Sequence, residues 1–172
     1  MTRFSNRLFA ASAGLAACAV LLTGCGAGQI SQTATQEAAV NGTSATANDI
    51  VLRNVHLQAV QTSGFIQPDQ VVPLVFVAAN NSPDVDDKLV SITSDVGTVS
   101  LAGDLAVPAG QALVVAPKGE AAAMGSATPT TAAVTLTKPI TNGLNYTFTF
   151  NFEKAGQTAV SVPISAGEGA RD

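Results

Sequence analysis

The sequence predicts an all-β sandwich carried behind an export signal and a polar tether. Three observations point there. Tyr146, Phe148, Phe150 and Phe152 alternate with Asn145, Thr147, Thr149 and Asn151 in strict period two. Short runs rich in β-branched residues recur between Gly, Pro and Asn turn clusters across residues 50–164. No long amphipathic helix is visible after the N-terminal apolar run.

That N-terminal run comes first in the chain. Arg3 and Arg7 precede about fifteen apolar or small residues from Leu8 to Leu22, and Leu22-Thr23-Gly24-Cys25 follows. A charged start, a short apolar middle and small residues at the cut describe a secretory signal peptide, here residues 1–24. The run is shorter than the ~20 residues of a membrane-spanning helix. Leu-Thr-Gly-Cys resembles the lipobox of bacterial lipoproteins, which implies that Cys25 is acylated and becomes the new N-terminus. The alternative, a signal without lipidation, leaves Cys25 as a lone thiol in an exported protein, because Cys18 lies inside the discarded segment. Two or more acyl chains on one residue anchor stably where one does not. The expected location is the extracytoplasmic face of the plasma membrane, with membrane lipid as the partner of Cys25.

Residues 25–48 carry the lipidated cysteine and then Ala, Gly, Ser, Thr, Gln and Asn without an aromatic residue. Such a segment cannot bury enough apolar area to offset its ordering entropy. It reads as a flexible tether, with a mean reach of ~25–30 Å for some two dozen residues. Its hydroxyls, Thr33, Thr35, Thr43, Ser44 and Thr46, are O-glycosylation candidates or a bare spacer. Residues 166–172 read as a disordered tail.

Residues 49–165 are expected to form the domain. Residues 50–60 alternate loosely. Residues 71–79 are a dense apolar run suited to a strand buried on both faces, with Pro73 pushing its start toward an edge. Asn80-Asn81-Ser82-Pro83-Asp84 is a turn cluster. Residues 88–94 and 96–101 are two short strands broken near Asp95, and residues 112–116 and 131–137 follow. Pro108-Ala109-Gly110, Pro117-Lys118-Gly119 and Pro129 mark loops. The aromatic strand 145–152 holds four of the six aromatic residues beyond the signal and is expected to organise the core. Lys154-Ala155-Gly156-Gln157 turns it into an antiparallel partner at residues 158–164.

Charge and chemistry exclude several functions. Beyond residue 24, six Lys and Arg face twelve Asp and Glu, a net of −6. Nucleic acid needs a basic stripe, and a polybasic lipid-binding face is equally absent. His56 is the one histidine, set between Val55 and Leu57 as a strand residue facing solvent or capping the core. Serine nucleophiles therefore lack a base other than His56 or a lysine, and no G-x-S-x-G occurs. Gly24-Cys25-Gly26-Ala27-Gly28 straddles the cleavage site and cannot cradle phosphate. Asp84-Val85-Asp86-Asp87 lacks calcium-loop spacing and reads as a solvated turn. For a soft metal the weak candidates are His56 and Met124, one imidazole and one thioether far apart in sequence. No catalytic residue, cofactor or metal site is expected, and the chain reads as non-enzymatic.

The C-terminal half resembles a known family. Residues 136–143 (LTKPITNG), 146–156 (YTFTFNFEKAG) and 160–164 (VSVPI) are similar to the closing strands of PCuAC-type periplasmic copper chaperones, and residues 87–94 (DKLVSITS) look like their strand before the metal loop. The resemblance covers residues 50–164 and implies a cupredoxin-like Greek-key β-sandwich. The whole chain is also similar to a family of mycobacterial envelope lipoproteins, through Gly24 to Thr33, Phe65-Ile66-Gln67-Pro68 and Ser82-Pro83-Asp84-Val85. The copper family holds Cu(I) with two histidines and two methionines. Where its first histidine follows a strand, this chain has Ser100-Leu101-Ala102-Gly103. Where its second pairs with a methionine, this chain has Glu120-Ala121-Ala122-Ala123, with Met124 alone as a remnant. The expected function is a lipid-anchored cell-envelope binding or accessory domain without metal ligands, its protein partner unnamed. The alternatives are a functional copper chaperone using His56 and Met124, and, third, an enzyme.

Mass spectrometry of the membrane-extracted protein is expected to show an acylated N-terminal Cys25, and Cys25→Ala is expected to release the chain or block its processing. Unchanged membrane retention with an unmodified cysteine would contradict the lipobox reading.

Overall fold

The computed structural model describes residues 42–59, 64–126 and 129–165. The signal peptide, Cys25, most of the tether and the tail at 166–172 lie outside the described residues.

The chain runs as β1 (Thr43–Ala47), β2 (Ile50–Gln58), β3 (Phe65–Ile66), β4 (Val71–Asn80), β5 (Asp87–Ser94), β6 (Gly97–Ala102), β7 (Ala106–Val107), β8 (Ala112–Val115), α1 (Lys118–Ala123), β9 (Thr131–Leu136), β10 (Ile140–Thr141), β11 (Asn145–Phe152) and β12 (Gly156–Ser165). Ten strands form one sheet in the order β6-β9-β4-β2-β12-β11-β5-β7, with β1 on β2 and β8 on β4. β3 and β10 make a separate two-stranded ribbon. The sheet curls so that its two halves face each other as the layers of a sandwich.

The aromatic strand behaves as its alternation predicts. Phe148, Phe150 and Phe152 are buried, Tyr146 is half-buried, and Asn145 and Thr147 are exposed. β12 is its antiparallel partner, with Phe150 opposite Thr158 and Phe148 opposite Val160. β5 flanks it on the other side, with Phe150 opposite Ile92. Across the core, Phe150 meets Phe76 of β4 edge to face, with ring centroids 5.1 Å apart and planes at 84°. That geometry sets the positive ring edge against the negative face of its partner.

Four features differ from the sequence reading or sharpen it. Residues 43–47, read as tether, form β1 and pair with β2 through a two-residue turn at Asn48-Asp49. Asn48 takes φ 48°, a left-handed conformation that asparagine tolerates and primed hairpin turns require. Pro73 marks an edge only at the start of β4: residues 71–73 pair with β9 alone, and from Leu74 on β4 is interior, with β2 on one side and β8 on the other. Pro73 closes the ladder to β9, and the ladder to β2 starts at Leu74. It therefore stands where the partners change, and its missing N–H interrupts neither ladder. The segment after Pro117, read as a loop, holds α1. Three consecutive alanines favour a helical turn, and Gly125 at φ 81° stops it. The Asp84–Asp87 turn is not solvated throughout, because Asp87 is buried.

Phe150→Ala is expected to cost ~3–5 kcal/mol, the usual loss for an aromatic core truncation. Thr149→Ala, from the opposite face, is expected to change stability by about 0.5 kcal/mol or less. Denaturant melts of the two variants compare them directly, and equal costs would contradict the assignment of faces.

Candidate functional site

Two places hold the chain's chemistry. The first is built around His56 on β2. The pairing of β2 with β4 shifts register between Arg53 and His56, and its pairing with β1 shifts between Leu52 and Val55. Asn54 sits at this bulge with φ 52°. An extra residue reverses which face the following side chains take. Ile50 and Leu52 point into the main core before the bulge, and Val55 and Leu57 do so after it. His56 is left on the outer face, opposite Val75 of β4. Gly42 makes room for the bulge: a Cβ there would lie 2.6 Å from the Asn54 carbonyl carbon and from its side-chain oxygen.

That outer face is covered. α1 lies over it, and Val75, Ala116 and Ala121 form a small second core. Gln58, two residues beyond His56, donates from Nε2 to Oε2 of Glu120 at 2.9 Å. His56 is consequently only 4% exposed. Its Nδ1 lies 2.9 Å from the Asn54 carbonyl. A carbonyl only accepts, so Nδ1 carries a proton and donates to it. The backbone carbonyl thus orients the ring, a partner that sequence reading did not find for His56. Met124 caps the C-terminal end of α1 and is 38% exposed. The element that ends in Met124 therefore covers the strand face that holds His56.

Thr130, at the entry to β9, lies between the end of β6 and the residue before Pro117. The Thr130 hydroxyl donates to the Asp104 carbonyl at 2.8 Å, and the Ala116 N–H to the Thr130 carbonyl at 3.1 Å. Gly103, at φ 110°, approaches so closely that a Cβ would lie 3.0 Å from the Pro129 carbonyl. Backbone groups and small residues make this junction. Among the described residues no group of three or more His, Cys, Asp or Glu side chains is placed to hold a metal ion.

The second place is a shallow cavity of about 580 Å³ at the turn end of β1–β2, lined by Asn48, Asp49, Asn80, Ser82, Asp87 and Lys154, among others. Sequence reading passed over its buried polar core. Asp87 accepts three backbone N–H groups: Lys88 at 2.7 Å and Lys154 at 2.9 Å on Oδ1, and Ala155 at 2.8 Å on Oδ2. Asn80 donates to the carbonyls of Val85 and Val107 and accepts from the Ser82 N–H. Asp86 accepts from the Ala109 N–H at 2.9 Å. The acidic cluster is thus a set of backbone caps that ties the β4–β5 loop to the β11–β12 turn. Both oxygens of Asp87 are engaged by backbone N–H groups. The turn residues Asn80 to Asp84 and the aspartates beside them were the available signal, since Asn and Asp cap neighbouring backbone in turns.

Comparison with known proteins follows this geometry. A family profile described as "Putative lipoprotein LpqE-like" matches residues 50–164. The LpqE lipoprotein of Mycobacterium tuberculosis (strain ATCC 25618 / H37Rv) is 58% identical over 159 residues, covering 90% of this chain and 87% of its own length. That of Mycobacterium leprae (strain TN) is 55% identical over 153 residues, covering 87% and 84%. In fold the chain is similar to the apo PCuAC domain from PmoF1, with a TM-score of 0.57 and 19% identity over 72% of this chain and 98% of that one. The copper-bound PCuAC domain from PmoF2 gives 0.55 and 17%, over 72% and 97%. At such identity the likeness is one of fold, and it bears out the cupredoxin-like β architecture. The chain belongs to the LpqE-like lipoprotein family.

Asp87→Ala strips three N–H groups of a buried charged acceptor. A loss of ~2–4 kcal/mol is expected, since hydrogen bonds to charged groups contribute ~1.5–3 kcal/mol each and overlap in a network. Asp87→Asn, which keeps one acceptor oxygen, is expected to lose less. A thermal melt ranking the two variants equal would contradict the capping role.

Proposed function

We propose that this chain is a non-enzymatic binding or accessory module, held by an acylated Cys25 on the extracytoplasmic face of the plasma membrane. It uses a copper-chaperone fold without that fold's copper chemistry. The observation that carries the reading is the state of the two soft-ligand candidates. His56 lies under α1 with one ring nitrogen committed to a backbone carbonyl, while Met124 stands exposed at the end of the helix. Cu(I) prefers several soft ligands, thioether or thiolate, with imidazole as an addition. Beyond the signal the sequence contains one methionine, one histidine and Cys25. The segments that would complete a site hold Ser100, Leu101, Ala102, Ala121, Ala122 and Ala123.

The anchor rests on the lipobox, the tether and the lipoprotein naming of the relatives. Among the described residues no helix is long and apolar enough to cross a membrane. The non-enzymatic reading rests on the thin inventory of nucleophiles and bases: the one histidine is enclosed. The acidic residues at the cavity that are buried serve the backbone.

A second reading, a working copper chaperone, has one observation in its favour. Nδ1 of His56 is tied to a carbonyl, the arrangement that commonly orients a metal-binding imidazole. Competition with a Cu(I) chelator separates the two readings. The mature-length chain with Cys25→Ser, which removes the confounding thiol, is expected to bind weakly, and equally so with His56→Ala or Met124→Ala. Tight stoichiometric binding lost in both variants would establish the chaperone instead.

A further inference from the structure

The apolar side chains left outside the core are not spread evenly. At one end of the sandwich β2 and β12 finish together, with Leu57 opposite Ile164, and β4 and β11 begin. The β3–β10 ribbon belongs to this end, since β3 joins β2 to β4 and β10 joins β9 to β11. Six large apolar side chains stand exposed among the described residues, and three belong here: Phe65 at 46%, Val71 at 62% and Leu144 at 55%.

Local structure presents them. Ile140 is buried, and Ile66 opposite it packs against the core. Side chains alternate along a strand, so Phe65 and its partner Thr141 take the outer face of the ribbon. Leu144 follows in the turn after β10, its N–H 3.4 Å from the Thr141 carbonyl. The Tyr146 hydroxyl accepts the Thr141 N–H at 2.6 Å and braces that turn. Val71 opens β4 opposite Thr135. Residues 64–68 and 139–147 carry no charge, whereas the turns at the other end carry Asp49, Asp84, Asp86, Asp87 and Glu153. The charges that flank the ribbon are Asp69 and the Asp95–Lys138 pair at 3.8 Å. Glu168, Arg171 and Asp172 follow β12 in sequence. Such a surface suits apolar insertion rather than attraction to a charged partner.

The chain also arrives from its anchor at this end. β1 runs antiparallel to β2 and begins opposite Val55, so Gly42 stands toward the end of β2 and the Asn48-Asp49 turn stands away from it. Residues 26–41 separate Gly42 from Cys25, and sixteen residues span at most ~55 Å when fully extended. We infer that the ribbon end is a membrane-docking surface: given the acylated Cys25 proposed above, Phe65, Leu144 and Val71 insert into the bilayer that holds the anchor. Lipid is the occupant because the anchor holds this end of the domain nearest the bilayer, at high effective concentration. Phe, Leu and Val bury apolar area at the boundary between headgroups and acyl chains, and these tips bring no charge into it. Docking turns the opposite end, with the cavity lined by Asn48, Asp49 and Lys154, away from the membrane.

The chain contains no tryptophan, so a single one reports its own surroundings. Phe65→Trp, Leu144→Trp and Val85→Trp are made singly in the full chain. Each membrane-extracted protein is reconstituted into vesicles of phosphatidylethanolamine and phosphatidylglycerol, with and without phosphatidylcholine brominated in its acyl chains. Val85, 43% exposed at the opposite end, is the control. The brominated lipid is expected to quench Phe65→Trp and Leu144→Trp several-fold more than Val85→Trp. Adding Phe65→Asp to Leu144→Trp is expected to bring its quenching down toward the control. Flotation with the vesicles reads the anchor separately: a chain that does not float overturns the anchor and this inference with it. A chain that floats with equal quenching at all three positions, or with Leu144→Trp quenching unmoved by Phe65→Asp, overturns this inference alone. Leu144→Trp shielded from aqueous iodide yet unquenched by brominated lipid would assign the surface to a second copy of the chain and overturn it as well.

Discussion

The edge-to-face contact between Phe76 and Phe150 holds the two layers of this domain in register. Phe76 is on β4, which pairs with β2, β8 and β9. Phe150 is central in β11, flanked by β5 and β12. Each ring is fully buried, and each anchors a strand whose partners follow from it. Burial of apolar side chains, at about 1.5–3 kcal/mol each for the larger ones, must offset the ordering of a long chain of strands. The contact requires alternating aromatics to meet alternating aliphatics at one depth, and so it sets the inward face of nearly every other strand.

A single bulge then decides what happens on the outside of that sheet. Without the extra residue at Asn54, His56 would continue the inward series of Ile50 and Leu52 and enter the main core. With it, Val55 and Leu57 take the core positions, and His56 turns toward α1. A short alanine-rich helix covers that spot with little bulk, and the Gln58–Glu120 hydrogen bond pins it. The result is an imidazole with a defined orientation and almost no exposure. Such a residue serves well as an internal fastener between sheet and helix.

The same economy governs the opposite end. Asp87 and Asn80 join the β4–β5 loop to the start of β5, to Val107 and to the β11–β12 turn. Buried polar groups are costly unless every oxygen and nitrogen finds a partner, and these do. The buried polar groups in the cavity wall, Asp87 and Asn80, are satisfied from within. Packing and capping of this kind support the fold that the chain shares with the PCuAC domains.

Local chemistry determined much of this protein by itself. Period two in residues 145–152 identified β11 and its inward face, because a strand's side chains alternate whatever surrounds them. Apolar runs between Pro, Gly and Asn clusters located β4, β5, β6, β8, β9 and β12 to within a residue or two. The export reading around Cys25 rests on local charge and hydropathy alone and lies outside the described residues. Tertiary structure alone decided the rest. β1 looks like tether because Thr-Ser-Ala-Thr-Ala has no apolar pattern, and it becomes a strand only because β2 offers an edge to pair with. Pro73 looks like an edge marker, and its harmlessness depends on where two ladders happen to end. The bulge at Asn54 leaves no periodic trace, so the face of His56 was not legible. The Asp87 carboxylate reads as one more acidic turn residue until residues nearly seventy positions away bring their N–H groups to it. Each of these depends on a backbone group supplied from a distant part of the chain, and no local pattern encodes the arrival of a distant partner.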